Sequence, residues 1–124
     1  MRGPAVRGFT LIEVLVALAV VAVALLAAVR AAGSMAQTNA ELKLRLLAQL
    51  AADNRIAELR AGGAFPAIGT RTSACPQGAA QLECGEEVKS TPNPLFRRVE
   101  VRVYADASRE HRLVELIGIL PRRQ

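Results

Sequence analysis

The stretch Arg7-Gly8-Phe9-Thr10-Leu11-Ile12-Glu13-Val14 opens an apolar run that continues unbroken through Val29 and, from Val14 onward, holds only Val, Leu and Ala. Such a run is long and dry enough to cross a bilayer or nearly so. Glu13 is the exception within it. A carboxylate in hydrocarbon costs about 3 kcal/mol on insertion scales, which marks Glu13 as a functional position in need of a cationic partner. The plainer alternative is a glutamate that snorkels to the cytoplasmic interface.

The residues ahead of Phe9 are few and basic. Arg2 and Arg7 on that side place the N-terminus in the cytoplasm and the rest of the chain outside, by the positive-inside rule. A basic start followed by an apolar run also has the outline of a secretory signal peptide, with Ala27-Ala28 or Ala31-Ala32-Gly33 as weak cleavage sites. Against that outline, the helix-forming pattern does not stop there. Ala31 to Ala61 is rich in Ala, Leu, Gln, Glu, Lys and Arg, with no proline, and Gly62-Gly63 then supplies a stop. The pattern predicts one helix from Phe9 to Ala61, about 80 Å long at 1.5 Å per residue. Leu42, Leu46, Leu47, Leu50, Ile56 and Ala57 give its distal half a broad apolar face. Asn54 lies at the edge of that face, either as a half-exposed polar residue or as a buried amide tying the helix to a neighbouring loop or strand.

Residues 64–95 read as loop, with turn signals at Phe65-Pro66, Cys75-Pro76 and Pro92-Asn93-Pro94 and a short strand near Gln81–Cys84. From Phe96 to Tyr104, Val99, Val101 and Val103 alternate with Arg98, Glu100, Arg102 and Tyr104, the period of a half-buried strand. After a polar turn over Ala105–Arg112, Leu113 to Leu120 reads as a second strand, apolar on both faces except at Glu115. The two form an antiparallel hairpin whose valine face packs on the helix, giving an α+β fold with a small sheet laid on the helix's distal half.

At 124 residues the chain allows one small domain besides the anchor. Sixteen Lys and Arg against eleven Asp and Glu give a net charge of +5. The basic residues are scattered, aromatics make up 3%, and no basic run alternates with stacking residues, so the charge does not point to nucleic acid.

These residues resemble the type IV pilin-like family. Arg7-Gly8-Phe9-Thr10-Leu11-Ile12-Glu13 is similar to the family pattern of a basic residue, Gly, an aromatic, Thr or Ser, Leu, an aliphatic and Glu. The resemblance implies that a prepilin peptidase of the inner membrane cuts between Gly8 and Phe9 and methylates the new amino group of Phe9. It also implies that Glu13 meets an α-ammonium, that of Phe9 in its own chain or in an adjacent subunit, which sets register in a bundle of such helices. Ala52-Asp53-Asn54-Arg55-Ile56-Ala57-Glu58-Leu59-Arg60, the strand at Arg97-Arg98-Val99-Glu100-Val101 and the ending Leu116-Ile117-Gly118-Ile119-Leu120-Pro121 resemble the minor pseudopilin I family of type II secretion systems. Many major pilins carry a proline partway along the anchor. This chain has none between Phe9 and Pro66, which fits a minor component.

The organisation implied is a leader over 1–8, a membrane-spanning and assembly part of the helix over 9–30, a periplasmic part over 31–61, and a loop with a small antiparallel sheet over 62–124. The function implied is a minor pseudopilin in the inner membrane that joins other minor and major pseudopilins to start or cap a periplasmic filament. Two rivals stay open: a minor pilin of a type IV pilus, and a periplasmic binding module on an uncleaved signal anchor.

An oxidising periplasm makes a Cys75–Cys84 disulfide the expectation, stabilising the intervening loop by roughly 2–3 kcal/mol. Zinc is not expected with one distant His, and a redox pair is more often Cys-x-x-Cys. Glu83, Glu86 and Glu87 read as a solvated loop cluster rather than a calcium site, which needs six or more oxygens. His111 stands alone in a polar turn. No triad, carboxylate pair or phosphate loop is present, so neither catalysis nor a cofactor is expected.

Overall fold

The computed structural model describes every residue except Arg2, Val6, Ala64 and Gln124, so the Arg2 half of the topology argument lies outside the described residues. The chain divides into two units, Met1–Asn39 and Ala40–Gln124, and helix α1, Leu11–Ala61, contributes to each.

In the first unit, the described residues ahead of α1 are exposed and without regular structure. The helix starts at Leu11 rather than Phe9 because Thr10 caps it: its Oγ1 accepts the Glu13 N–H at 3.3 Å, and its carbonyl accepts the Val14 N–H at 3.2 Å. Thr-x-x-Glu is the sequence of a capping box, in which hydroxyl and carboxylate serve the otherwise unpaired N–H groups of the first turn. Every large apolar side chain from Leu11 to Val29 is exposed. The segment is long and apolar enough to cross a membrane, and none of it is buried within the chain.

The second unit is a four-stranded antiparallel sheet in the order β1-β2-β3-β4, with β1 Gly69–Ala74, β2 Glu83–Ser90, β3 Phe96–Tyr104 and β4 Arg112–Pro121. The expected hairpin is β3 and β4, and the valine alternation reads correctly. Val99, Val101 and Val103 are fully buried and share a core with Ala48, Ala51, Ala52, Ile56 and Leu59 of α1. Burying each valine stabilises the fold by about 1.5–3 kcal/mol relative to exposure. Opposite Val99 stands Gly118, where a Cβ would lie 3.1 Å from Ile56 Cδ1 and Cγ2. The helix rests against the sheet at that glycine. At its C-terminus, Gly63 takes the left-handed conformation (φ 62°) that ends α1, as the Gly62-Gly63 pair suggested.

Two expectations need correction. The buried face of α1 is not the leucine face: Ile56 is buried and Leu47 partly so, but Leu42, Leu46, Leu50 and Ala57 are exposed. Three alanines at 48, 51 and 52 take the central contact, because small side chains let the helix axis approach the sheet closely. The region read as loop over 64–95 holds β1 and β2. The short strand expected near Gln81–Cys84 is the start of β2; β1 and the rest of β2 were hidden by their polarity, since β1 is an exposed edge strand rich in Thr, Ser and Arg and the inward positions of β2 are Cys84, Glu86 and Val88.

Candidate assembly site

The head of α1 gathers the sequence-selected residues of the first unit. Gly8 and Phe9 lie in the exposed segment just before the cap, and a Cβ on Gly8 would meet nothing within 4 Å. Nothing in the fold therefore demands a glycine there. Phe9, Glu13, Val14, Ala17, Leu18 and Val21 line one open concavity of about 400 Å³. Residues 13, 17 and 21 recur every four positions, so Glu13 sits at the head of an apolar stripe on a single helix face. The Glu13 backbone N–H is held by Thr10, but its carboxylate makes no ion pair with any described residue. In the uncut chain the Phe9 nitrogen is an amide, and cutting the Gly8–Phe9 bond would turn it into an ammonium one helical turn before Glu13.

In the second unit, polar groups lock the sheet to the helix. Glu86 is not the solvated loop acid expected from the sequence but an inward residue of β2, 2% exposed, paired with the Nε of Arg55 on α1. Arg55 also reaches Glu58 at 3.0 Å. The Glu86 hydrogen bond raises the Arg55 pKa above its ordinary value, outweighing the opposing effect of burial. Arg55 lies in the stretch that carries the family resemblance, yet local sequence assigns it no role. The missing signal is its partner, which is 31 residues away and adjoins other acids. Asn54 is exposed, yet it does tie the helix to a loop, its Nδ2 donating to Gln77 Oε1 at 3.3 Å.

Cys75 and Cys84 are bonded, joining the β1–β2 connection to β2 next to the buried Leu82. On the sheet face turned away from the helix, Glu100 accepts from Lys89 at 3.1 Å and from Arg102 at 2.7 Å and forms an ion pair with Arg98 at 3.1 Å. Glu100 has little exposure because these three side chains cover it. The Lys89 hydrogen bond holds its pKa below the ordinary 4.5, against burial, and the charges of Lys89, Arg98 and Arg102 add to the effect. Glu87 and Glu115 extend the ladder through Arg102. His111 is exposed in the β3–β4 turn, where its carbonyl accepts the Ala105 N–H. Among the described residues there is no cluster of three or more metal-ligating side chains.

Comparison with known proteins bears on both units. Residues 42–121 match the family described as type II secretion system (T2SS), protein I, and residues 4–29 match the prokaryotic N-terminal methylation motif. The chain is also 36% identical over 99 residues to the type II secretion system protein I of Pseudomonas aeruginosa, an alignment spanning 80% of this chain and 77% of that relative.

Proposed function

Because the chain belongs to the family of type II secretion system protein I, we propose that the head of α1 is its assembly device, made active by a cut at Gly8–Phe9. The chain is a minor pseudopilin of type II secretion, a structural component of a system whose pseudopilins assemble with one another. Its rivals, the type IV pilus component and the signal-anchored binding module, are not favoured by these matches. The exposed apolar segment of α1 and the methylation motif across it point to a single-pass membrane anchor.

In the proposed sequence of events, α1 waits in the inner membrane with the second unit in the periplasm. A prepilin peptidase cuts after Gly8 and methylates Phe9. Supporting this are the exposure of the Gly8–Phe9 bond outside the helix and a glycine that the fold itself does not require. The new ammonium, from this chain or a neighbour, pairs with Glu13. That pairing removes an uncompensated carboxylate from hydrocarbon and sets the axial register of one helix against the next. The helix then leaves the lipid by packing among other minor and major pseudopilins, starting or capping a periplasmic filament. The observation carrying this reading is Glu13 at the head of an otherwise apolar, unburied helix.

Mass spectrometry of the mature N-terminus tests the first step. An N-methylated Phe9 is expected, and an intact Met1 or a cut near Ala32 would overturn the scheme. Glu13 also stands at the acidic position of a Thr-x-x-Glu capping sequence, so two substitutions separate charge from cap. Glutamine also serves a capping box. Glu13→Gln is therefore expected to abolish assembly and secretion as fully as Glu13→Ala, and a Glu13→Gln chain that secretes normally would remove the charge pair from the mechanism.

A further inference from the structure

Charge is unevenly spread over the second unit. Arg45, Arg55, Lys89, Arg98, Arg102 and Arg112 each pair with a glutamate. Arg60 in the last turn of α1, Arg97 near the start of β3, and Arg122 and Arg123 just past β4 make no ion pair with a described residue; Lys43, Arg71 and Arg109 make none either, but they stand apart on α1, β1 and the β3–β4 turn. Phe65 collects two of them, with the Arg97 and Arg122 guanidinium carbons 4.3 and 4.9 Å from its ring centre. Attraction to the ring face offsets their mutual repulsion. The Arg122 N–H donates to the Leu95 carbonyl at 2.7 Å, which anchors the backbone there. Arg97 Nε is buried and has no acceptor among the described residues, an expensive state for a charged donor.

Next to this group, and on the strand paired with Arg97 through Leu120, is a cleft of about 350 Å³. Leu59, Ile119, Leu120 and Pro121 form its apolar lining, and Arg60 and Arg123 its charged part. Guanidinium groups recognise carboxylates through paired, charge-assisted hydrogen bonds. The lining suits an aliphatic side chain alongside. Nucleic acid fits poorly, since Phe65, the aromatic ring of the group, already carries two guanidiniums instead of offering a stacking face. A flat anionic lipid surface would not need an apolar recess.

We infer that this arginine-rimmed cleft at the C-terminal end of α1 is a docking site for an acidic segment of a partner protein, one presenting Asp or Glu beside an aliphatic side chain. It is separate from the head of α1 and stands whether or not Glu13 pairs as proposed.

The test uses the ¹⁵N-labelled full chain in a neutral detergent micelle, titrated with an acetylated and amidated GELELEG peptide. Saturable shifts are expected at Arg60, Arg97, Arg122 and Arg123, with binding lost for the GQLQLQG peptide. Arg60→Gln and Arg123→Gln should each weaken binding about tenfold, the loss of one charge-assisted hydrogen bond, while Arg45→Gln and Glu13→Ala leave it unchanged. Arg123→Gln follows β4 and takes no part in the core, so its effect is not one of unfolding. No saturable binding, or binding indifferent to the two arginine substitutions, overturns the inference. So does an outcome in which bicelles containing phosphatidylglycerol shift these arginines and the peptide does not, which would assign the patch to lipid.

Discussion

Replacing Arg55 by methionine should unfold the second unit far more readily than its surface position suggests. The substitution keeps most of the aliphatic stem but removes the cation facing Glu86, whose side chain is 2% exposed and whose second oxygen already lacks a partner. Breaking a buried pair from one side costs about 3–5 kcal/mol, because the surviving charge has no compensation. Arg55 is one-third exposed and borders the cleft of Asn54, Ser73 and Gln77, through which water can follow, so the lower end of that range applies, about 3 kcal/mol. For a domain of this size the corresponding loss in Tm is about 12 °C or more. The contact to Glu58 is a minor contributor, since Glu58 is 66% exposed and surface pairs contribute about 0–1 kcal/mol. Thermal unfolding of the full chain in neutral detergent, followed by circular dichroism, is the assay, with Glu58→Ala as control. The double variant Arg55→Met/Glu86→Leu replaces the pair with apolar groups and should regain most of the loss. An Arg55→Met chain melting with the wild type would refute the reasoning, as would a double variant no more stable than the single one.

Gly118→Ala is expected to cost about 1–3 kcal/mol by forcing a methyl against Ile56, and adding Ile56→Val should give a double variant less destabilised than the sum of the two singles. Reducing and alkylating Cys75 and Cys84 removes a loop closure over a separation of 9 residues, which chain entropy values at about 2.7 kcal/mol. The melting temperature should fall by about 10–20 °C, and an unchanged value would leave the bond without a structural role. Glu100 has a folded pKa below its ordinary 4.5, so its contribution is fully present above that pH and is lost as pH falls through the folded value. Acid titration of stability should therefore be shallower in Glu100→Gln below pH 4.5, and identical slopes in the two chains would contradict the ladder.

Phe9 to Val29 and the Val99-Val101-Val103 alternation were legible because each is a local pattern: one long apolar run, and one strand with a clean period of two. Residues 11–61 held as a single helix for the same reason, since no proline interrupts them and two glycines follow. One strand, β1, escaped, and β2 was caught only at its start near Gln81–Cys84, because the pattern that identifies a strand is apolar alternation. β1 is a polar edge, and β2 turns a glutamate inward at the position where a valine would have given it away.

What the sequence determined by itself is the anchor, the misplaced acid at Glu13, the helix stop, the terminal hairpin and the family resemblance, all properties of neighbouring residues. Which face of α1 is buried, that Glu86 is held by Arg55, and that Arg60, Arg97, Arg122 and Arg123 gather at one end of the second unit without an ion pair to a described residue all follow from packing. The reason is physical. A helix with apolar residues on more than one side packs the side that lets it come closest to the sheet, and here Ala48, Ala51 and Ala52 take the central contact while Gly118 makes room for Ile56. An ion pair between a helix and a strand 31 residues later depends on strand register and helix rotation together, and neither is written in a run of adjacent residues.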